Sequence, residues 1–180
     1  DTSKFMFAGY SSNGSVHGAA KGGSISTSGS VTVGSEYIYS SYSNTLYNYV
    51  AFADNNSSAC VVSFKKGNES YSRILDLTLS GGSVSSHTQL FQLSAVIYEP
   101  IKFDRSLGYA VLVYDNKIEA RTLASGKPTT TVVSTHTISP YVSSVYITSD
   151  KKLVINKGTT VLGNFNTLVT NLTSDNFVGI

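Results

Sequence analysis

Five tyrosines, Tyr37, Tyr39, Tyr42, Tyr47 and Tyr49, fall within thirteen residues and are separated mostly by Ser and Asn. Such rings stack on sugar faces while neighbouring hydroxyls and amides bond to sugar hydroxyls, and Tyr supplies contact area with few rotatable bonds to order. In an extended segment, alternation sets Tyr37 and Tyr39 on one face, and Tyr47 and Tyr49 on one face. All five are therefore candidate ligand-binding residues for a glycan. The competing reading is that the rings fill a core or an inter-subunit seam, since Tyr suits strands generally.

The other reactive residue types are scattered. His17, His87 and His136 lie far apart in strand-like contexts with no Cys or His nearby to complete a zinc pattern, which reads as ordinary surface or half-buried histidines. Asp54-Asn55-Asn56 offers oxygens, but no carboxylate follows at the spacing that closes a calcium shell, and a tight turn accounts for it. Cys60, the one cysteine, sits in the apolar run Ala59 to Val62 and reads as a small buried hydrophobe. Among seven Asp and four Glu, Glu99 and Asp104 come nearest to a catalytic pair, with Pro100 between them suggesting an edge or turn. No nucleophile elbow and no phosphate-binding Gly-Lys-Ser/Thr loop occurs, so the expectation is a non-enzymatic chain without metal or cofactor. Asn13, Asn55, Asn56, Asn68 and Asn171 match the short N-glycosylation pattern, which a chain so rich in Ser and Thr generates by chance.

Composition narrows the partners. The 180 residues are 41% apolar and only 13% charged, with a net charge of +2, whereas Ser, Thr and Asn contribute 30, 18 and 12 residues. Roughly a quarter of an average soluble protein is charged. Thirteen cations against eleven anions, with no basic run longer than two, cannot build the extended basic face that phosphate backbones require, so nucleic acid is not expected. No stretch approaches the roughly 20 apolar residues of a membrane-spanning helix, and no membrane insertion is expected. The chain opens at Asp1 and closes on Asn176 to Ile180 in mid-element, which leads us to expect a piece of something longer.

The elements that must position these residues read as strand and turn throughout. Short alternating or apolar runs rich in Val, Ile, Tyr and Thr are punctuated by Gly, Asn and Ser, and no helical spacing emerges. The expected fold class is all-β. A motif of apolar strand, polar turn, second strand, Gly-containing loop with a Lys, and third strand starts at Phe5, Val50, Ala110 and Leu153, at intervals of 45, 60 and 43 residues. Tyr37 to Ser40, Ala95 to Phe103 and Tyr141 to Thr148 supply a fourth strand before the last three starts. The pattern predicts antiparallel four-stranded, propeller-like blade units over residues 1–165, an insertion near Gly81 to Ser86 in the long interval, and a linker or further module over 166–180. A β-sandwich is the alternative.

The run Ile101 to Asp115, followed by blade-like turns and closing on Asn171 to Ile180, resembles repeat-containing tail-fibre and host-range-like proteins of tailed bacteriophages of aquatic hosts. The resemblance implies a non-enzymatic virion component, in the tail or fibre or otherwise extracellular. It would contact a host-surface glycan or envelope component and other virion proteins, as a homo-oligomer such as a trimer. Two further readings stand beside it: a glycan-degrading hydrolase, and an assembly subunit that touches no receptor.

Overall fold

Turn chemistry decides where this chain reverses. At Gly81 and Gly82 the backbone has φ of 57° and 88°, and Ser80 pairs with Ser83 across them. Ser125 and Gly126, at 50° and 77°, stand in the same way between the paired Ala124 and Lys127. Positive φ at both central residues gives the two-residue hairpin turn whose twist matches that of the flanking strands. The computed structural model describes residues 3–11, 17–42, 44–52, 59–114, 117–137, 145–150, 152–155, 160–164 and 178–179.

The chain is all-β, and every strand pairing is antiparallel. The first sheet holds β1 (Ser3–Ser11), β2 (His17–Ile25), β3 (Val31–Val33) and β4 (Tyr37–Ser40), with β3 and β4 both pairing along the same side of β2. The second is a meander of β5 (Thr45–Phe52), β6 (Ala59–Lys66), β7 (Ser72–Ser80) and β8 (Ser83–Leu93). The third runs through β9 (Lys102–Asp104), β10 (Tyr109–Tyr114), β11 (Lys117–Ala124) and β12 (Lys127–Thr137). The fourth contains β13 (Val145–Ile147), β14 (Lys152–Ile155), β15 (Thr160–Asn164) and β16 (Val178–Gly179). Two compact units result: Asp1–Val96 carries the first two sheets and Ile97–Ile180 the last two.

The uneven repeat now has a structural cause. Tyr37 to Ser40 does not lead the second sheet, as expected, but pairs with β2 in the first. Gly81 to Ser86 is no insertion either; it is the turn and opening of β8, the fourth strand of the second sheet. The extra strand thus follows the motif in the first two sheets and precedes it in the last two. Both β8 and β9 therefore fall inside the 60-residue interval.

Within the first unit, Met6, Ala20 and Tyr39 of the first sheet pack with Val62, Phe64, Leu75, Leu77, Leu79 and Val84 of the second. Each large aliphatic or aromatic side chain so buried contributes about 1.5–3 kcal/mol. The sheets approach closely at Gly22, where a Cβ would lie 2.6 Å from the Gly82 carbonyl oxygen and 2.9 Å from Leu79 Cδ2. Within the second unit, Val111, Val113, Ile118 and Ala120 pack with Val145 and Leu153.

Candidate functional site

The tyrosine-rich segment does not act as one surface. Tyr37 and Tyr39 share the core-facing side of β4, and Tyr39 is only 4% exposed, with its ring 5.2 Å from that of Phe64. Its hydroxyl donates to Asn48 Oδ1 at 2.5 Å and to the Gly9 carbonyl at 3.3 Å, and burial pushes its pKa well above the ordinary phenol range. Tyr39 is thus a core residue, and its expected role as a stacking ring is corrected. Tyr37 is half-buried, its hydroxyl 2.9 Å from His87 Nδ1. On β5 the register slips between Leu46 and Tyr49, and Tyr47 adopts φ of 51°, so strict alternation does not carry across these residues. Tyr47 is exposed and Tyr49 half-buried.

Tyr42 is an exposed ring that lines a groove. It follows the end of β4 and stays 41% exposed, with Lys66 Nζ 3.9 Å and the Arg73 guanidinium carbon 5.1 Å from its centroid. The turn between β6 and β7 supplies the counter-charge: Arg73 Nη1 donates to Glu69 Oε2 at 2.6 Å, and Lys66 Nζ lies 3.6 Å from Glu69 Oε1. Arg73 also donates to the Tyr71 hydroxyl at 2.9 Å and lies 4.7 Å from that ring's centroid. The Arg73 hydrogen bond, with smaller help from Tyr71 and Lys66, holds the Glu69 carboxyl down at about 2.

Beside Tyr42 runs a groove of about 460 Å³, lined by Ser40, Phe64, Arg73, His87 and Gln89 among others. Register explains the lining. Phe64 opposes Arg73 and Leu75 opposes Gln89, so these residues and His87 point to the side of the second sheet that faces the first. There they extend past the end of the core and offer a guanidinium, an imidazole, an amide and a hydroxyl beside an aromatic ring. Lys66, Glu69, Tyr71, Arg73 and Gln89 were not singled out by sequence, and His87 was read as an ordinary surface or half-buried histidine. The one local clue is the Glu69–Arg73 pair next to a turn; β8, which brings the last two, is remote in the chain.

A second Tyr, Glu and Arg constellation lies in the other unit. Leu112 opposes Glu119, which puts Tyr114, Glu119 and Arg121 on one face of β10 and β11. The Tyr114 hydroxyl donates to Glu119 Oε1, and Arg121 donates to Glu119 Oε2 from Nε at 3.0 Å and Nη2 at 2.7 Å. Arg121 Nη1 reaches the Thr129 and Thr130 carbonyls at 3.4 Å. All three side chains are buried. Burial first, then the bond to Glu119, pushes the Tyr114 hydroxyl above the ordinary phenol range.

The expected Glu99 and Asp104 pair is split between separate tasks. Asp104 Oδ1 accepts from Ser106 Oγ at 2.6 Å and Leu107 N at 3.1 Å, closing the β9–β10 turn. Glu99 lies 3.9 Å from Lys102, and burial raises its pKa. His136, expected as a surface or half-buried histidine, is buried on β12. No group of three or more His, Cys, Asp or Glu that could hold a metal ion occurs among the described residues. Asn68 sits in the turn after β6, while Asp54, Asn55, Asn56, Asn13 and Asn171 lie outside the described residues, as does the Cys60 side chain.

No family model and no curated protein matches this chain. Among solved structures, a luciferin-regenerating enzyme is similar at a TM-score of 0.46 and 13% identity, over 84% of this chain and 53% of that one. The chain therefore spans about half the length of that neighbour. That neighbour is named as an enzyme, and the expectation of a non-enzymatic chain is not kept. Missing sequence motifs were a weak ground for it, since residues at the ends of remote strands meet only in the folded chain. A likeness at this level carries no activity, substrate or site over to this protein.

Proposed function

We propose that this chain is a carbohydrate-recognition module of a virion or cell surface, in the setting that the tail-fibre resemblance implies. The observation that carries the reading is the groove beside Tyr42, where an exposed ring stands next to Arg73, His87, Gln89 and Ser40. A sugar face needs a ring to stack on and a few fixed polar groups for its hydroxyls, and the groove supplies both. The scarcity of formal charge supports the same reading, because most surface hydrogen bonding then falls to hydroxyls and amides. Tyr47 is a second exposed ring on the same segment, and Tyr37 contributes by orienting His87.

The test is binding of the purified chain to a panel of bacterial envelope oligosaccharides, followed by chemical-shift changes in the aromatic and side-chain amide signals. Binding should perturb Tyr42 and Gln89, and Tyr42→Ala should weaken it by about tenfold or more. Binding that is indifferent to Tyr42→Ala and to Gln89→Ala would overturn the assignment of the groove. Assaying the same incubations for new reducing ends separates recognition alone from glycan cleavage.

A further inference from the structure

The groove beside Tyr42 has a sign as well as a shape. Arg73 and His87 line it together with the neutral Gln89, Ser40 and Ser41, and no Asp or Glu occurs among the described residues of its wall. Glu69, which pairs with both Arg73 and Lys66, is not part of that wall. Two cations thus share a single carboxylate, and positive charge is left over at the Tyr42 end. Arg73 also has donors to spare. A guanidinium carries five N–H groups, of which one at Nη1 goes to Glu69 and one at Nη2 to the Tyr71 hydroxyl, and no other hydrogen bond from it occurs among the described residues. Its side chain is only 12% exposed, so an anion brought to it meets less screening than at an open surface.

Strand geometry orders these groups along the groove. Arg73, Leu75 and Leu77 are successive core-side residues of β7, with Gln89 opposite Leu75 and His87 opposite Leu77. At about 3.3 Å per residue, Arg73 and His87 stand about 13 Å apart along the strand direction, with Gln89 between them. Tyr42 lies at the Arg73 end, and Tyr37, whose hydroxyl takes His87 Nδ1, lies at the other. The exposed ring and the open guanidinium therefore stand together, and an amide and an imidazole follow in line.

We infer that the groove takes an acidic glycan, one whose sugar against Tyr42 carries a carboxylate. The inference rests on the carbohydrate reading above and adds the charge of the ligand to it. The carboxylate accepts from the open N–H groups of Arg73, in the forked geometry that a planar guanidinium offers and an ammonium does not. Lys66, held over the Tyr42 ring, adds its charge to the same end. Further along, the Gln89 amide and His87 Nε2 address hydroxyls of the next sugar, and no carboxylate of the described wall repels the anion.

Titration calorimetry tests it, with a panel of envelope oligosaccharides that contain a uronic acid, each beside its carboxyl-reduced neutral form. The acidic form should bind at least about tenfold more tightly, and added salt should narrow that difference. Arg73→Gln should weaken the acidic form and so remove the preference, whereas Glu69→Gln, which frees Arg73 of its partner, should tighten the acidic form by about threefold or more. Should Arg73→Gln fail to fold, the comparison of the two forms on the unaltered chain still decides. Equal or tighter binding of the neutral forms, weakened by Tyr42→Ala, would overturn the acidic ligand and leave the carbohydrate reading standing. Binding of neither form would overturn both. A preference that survives Arg73→Gln, or that Glu69→Gln diminishes, would overturn the role given to Arg73.

Discussion

The two units each hold a Tyr, a Glu and an Arg in mutual hydrogen-bonding range, yet the two clusters have opposite physical characters. Around Glu69 the groups sit at a turn with water at hand, and Arg73 shares itself between Glu69, Tyr71 and the ring of Tyr42. Around Glu119 the same residue types lie within a sheet, and Arg121 commits two nitrogens to one carboxylate oxygen and a third to carbonyls. A half-buried ion pair at a turn keeps some contact with water, so it strands less charge when broken than a sealed one does. Removing one member of a buried pair strands a charge away from water. Residue type thus does not decide between a partly accessible cluster and a sealed one; position in the sheet does.

Experiments on the buried cluster should give the largest effects. Arg121→Met leaves Glu119 buried without its cation and should destabilise the protein by about 3–5 kcal/mol in urea unfolding. Glu119→Leu combined with Arg121→Met should recover at least half of that loss, because the stranded charge is gone; if the double variant is worse than the single, the cluster is not the reinforcing device described. Tyr39→Phe comes next. It deletes a buried hydroxyl bonded to Asn48 and Gly9, with an expected cost of about 1–2 kcal/mol. Arg73→Ala should move the melting temperature by less than about 4 °C while abolishing measurable glycan binding; a large thermal loss would erase the contrast between the clusters.

The smallest effect is a pH response. Glu69 is held at about 2, below its ordinary value of 4.5, so its pairing with Arg73 favours the folded state fully above pH 4.5 and is lost as pH falls through about 2. A carboxyl NMR titration should show Glu69 ionised at pH 4 and protonating near pH 2. An ordinary midpoint would show that the pair does not persist in solution.

Much of the fold was legible because turns and strand preferences are local. The Ser125-Gly126 reversal, the runs over β10 to β12 and the absence of helical spacing all follow from a few adjacent residues. The candidate site was half legible. Tyr42 and Tyr47 emerged as exposed rings, but Tyr39 carries the same side chain and went to the core. Alternation says that two residues share a face without saying which face meets another sheet. The slip near Tyr47 was hidden for a related reason, since a bulge is a property of two strands and leaves no necessary mark in one.

By itself, then, the sequence determined an all-β chain of short strands, poor in charge, with a tyrosine-rich stretch between its first two motifs. Tertiary structure decided how the strands are shared among sheets, assigning Tyr37 to Ser40 to the first and Ser83 to Leu93 to the second. It also decided that Arg73 and His87 meet beside Tyr42 while Arg121 and Glu119 are sealed within a sheet. The physical reason is range: backbone preference and turn geometry act over a few residues, whereas burial and charge pairing depend on segments that meet only after the sheets have formed.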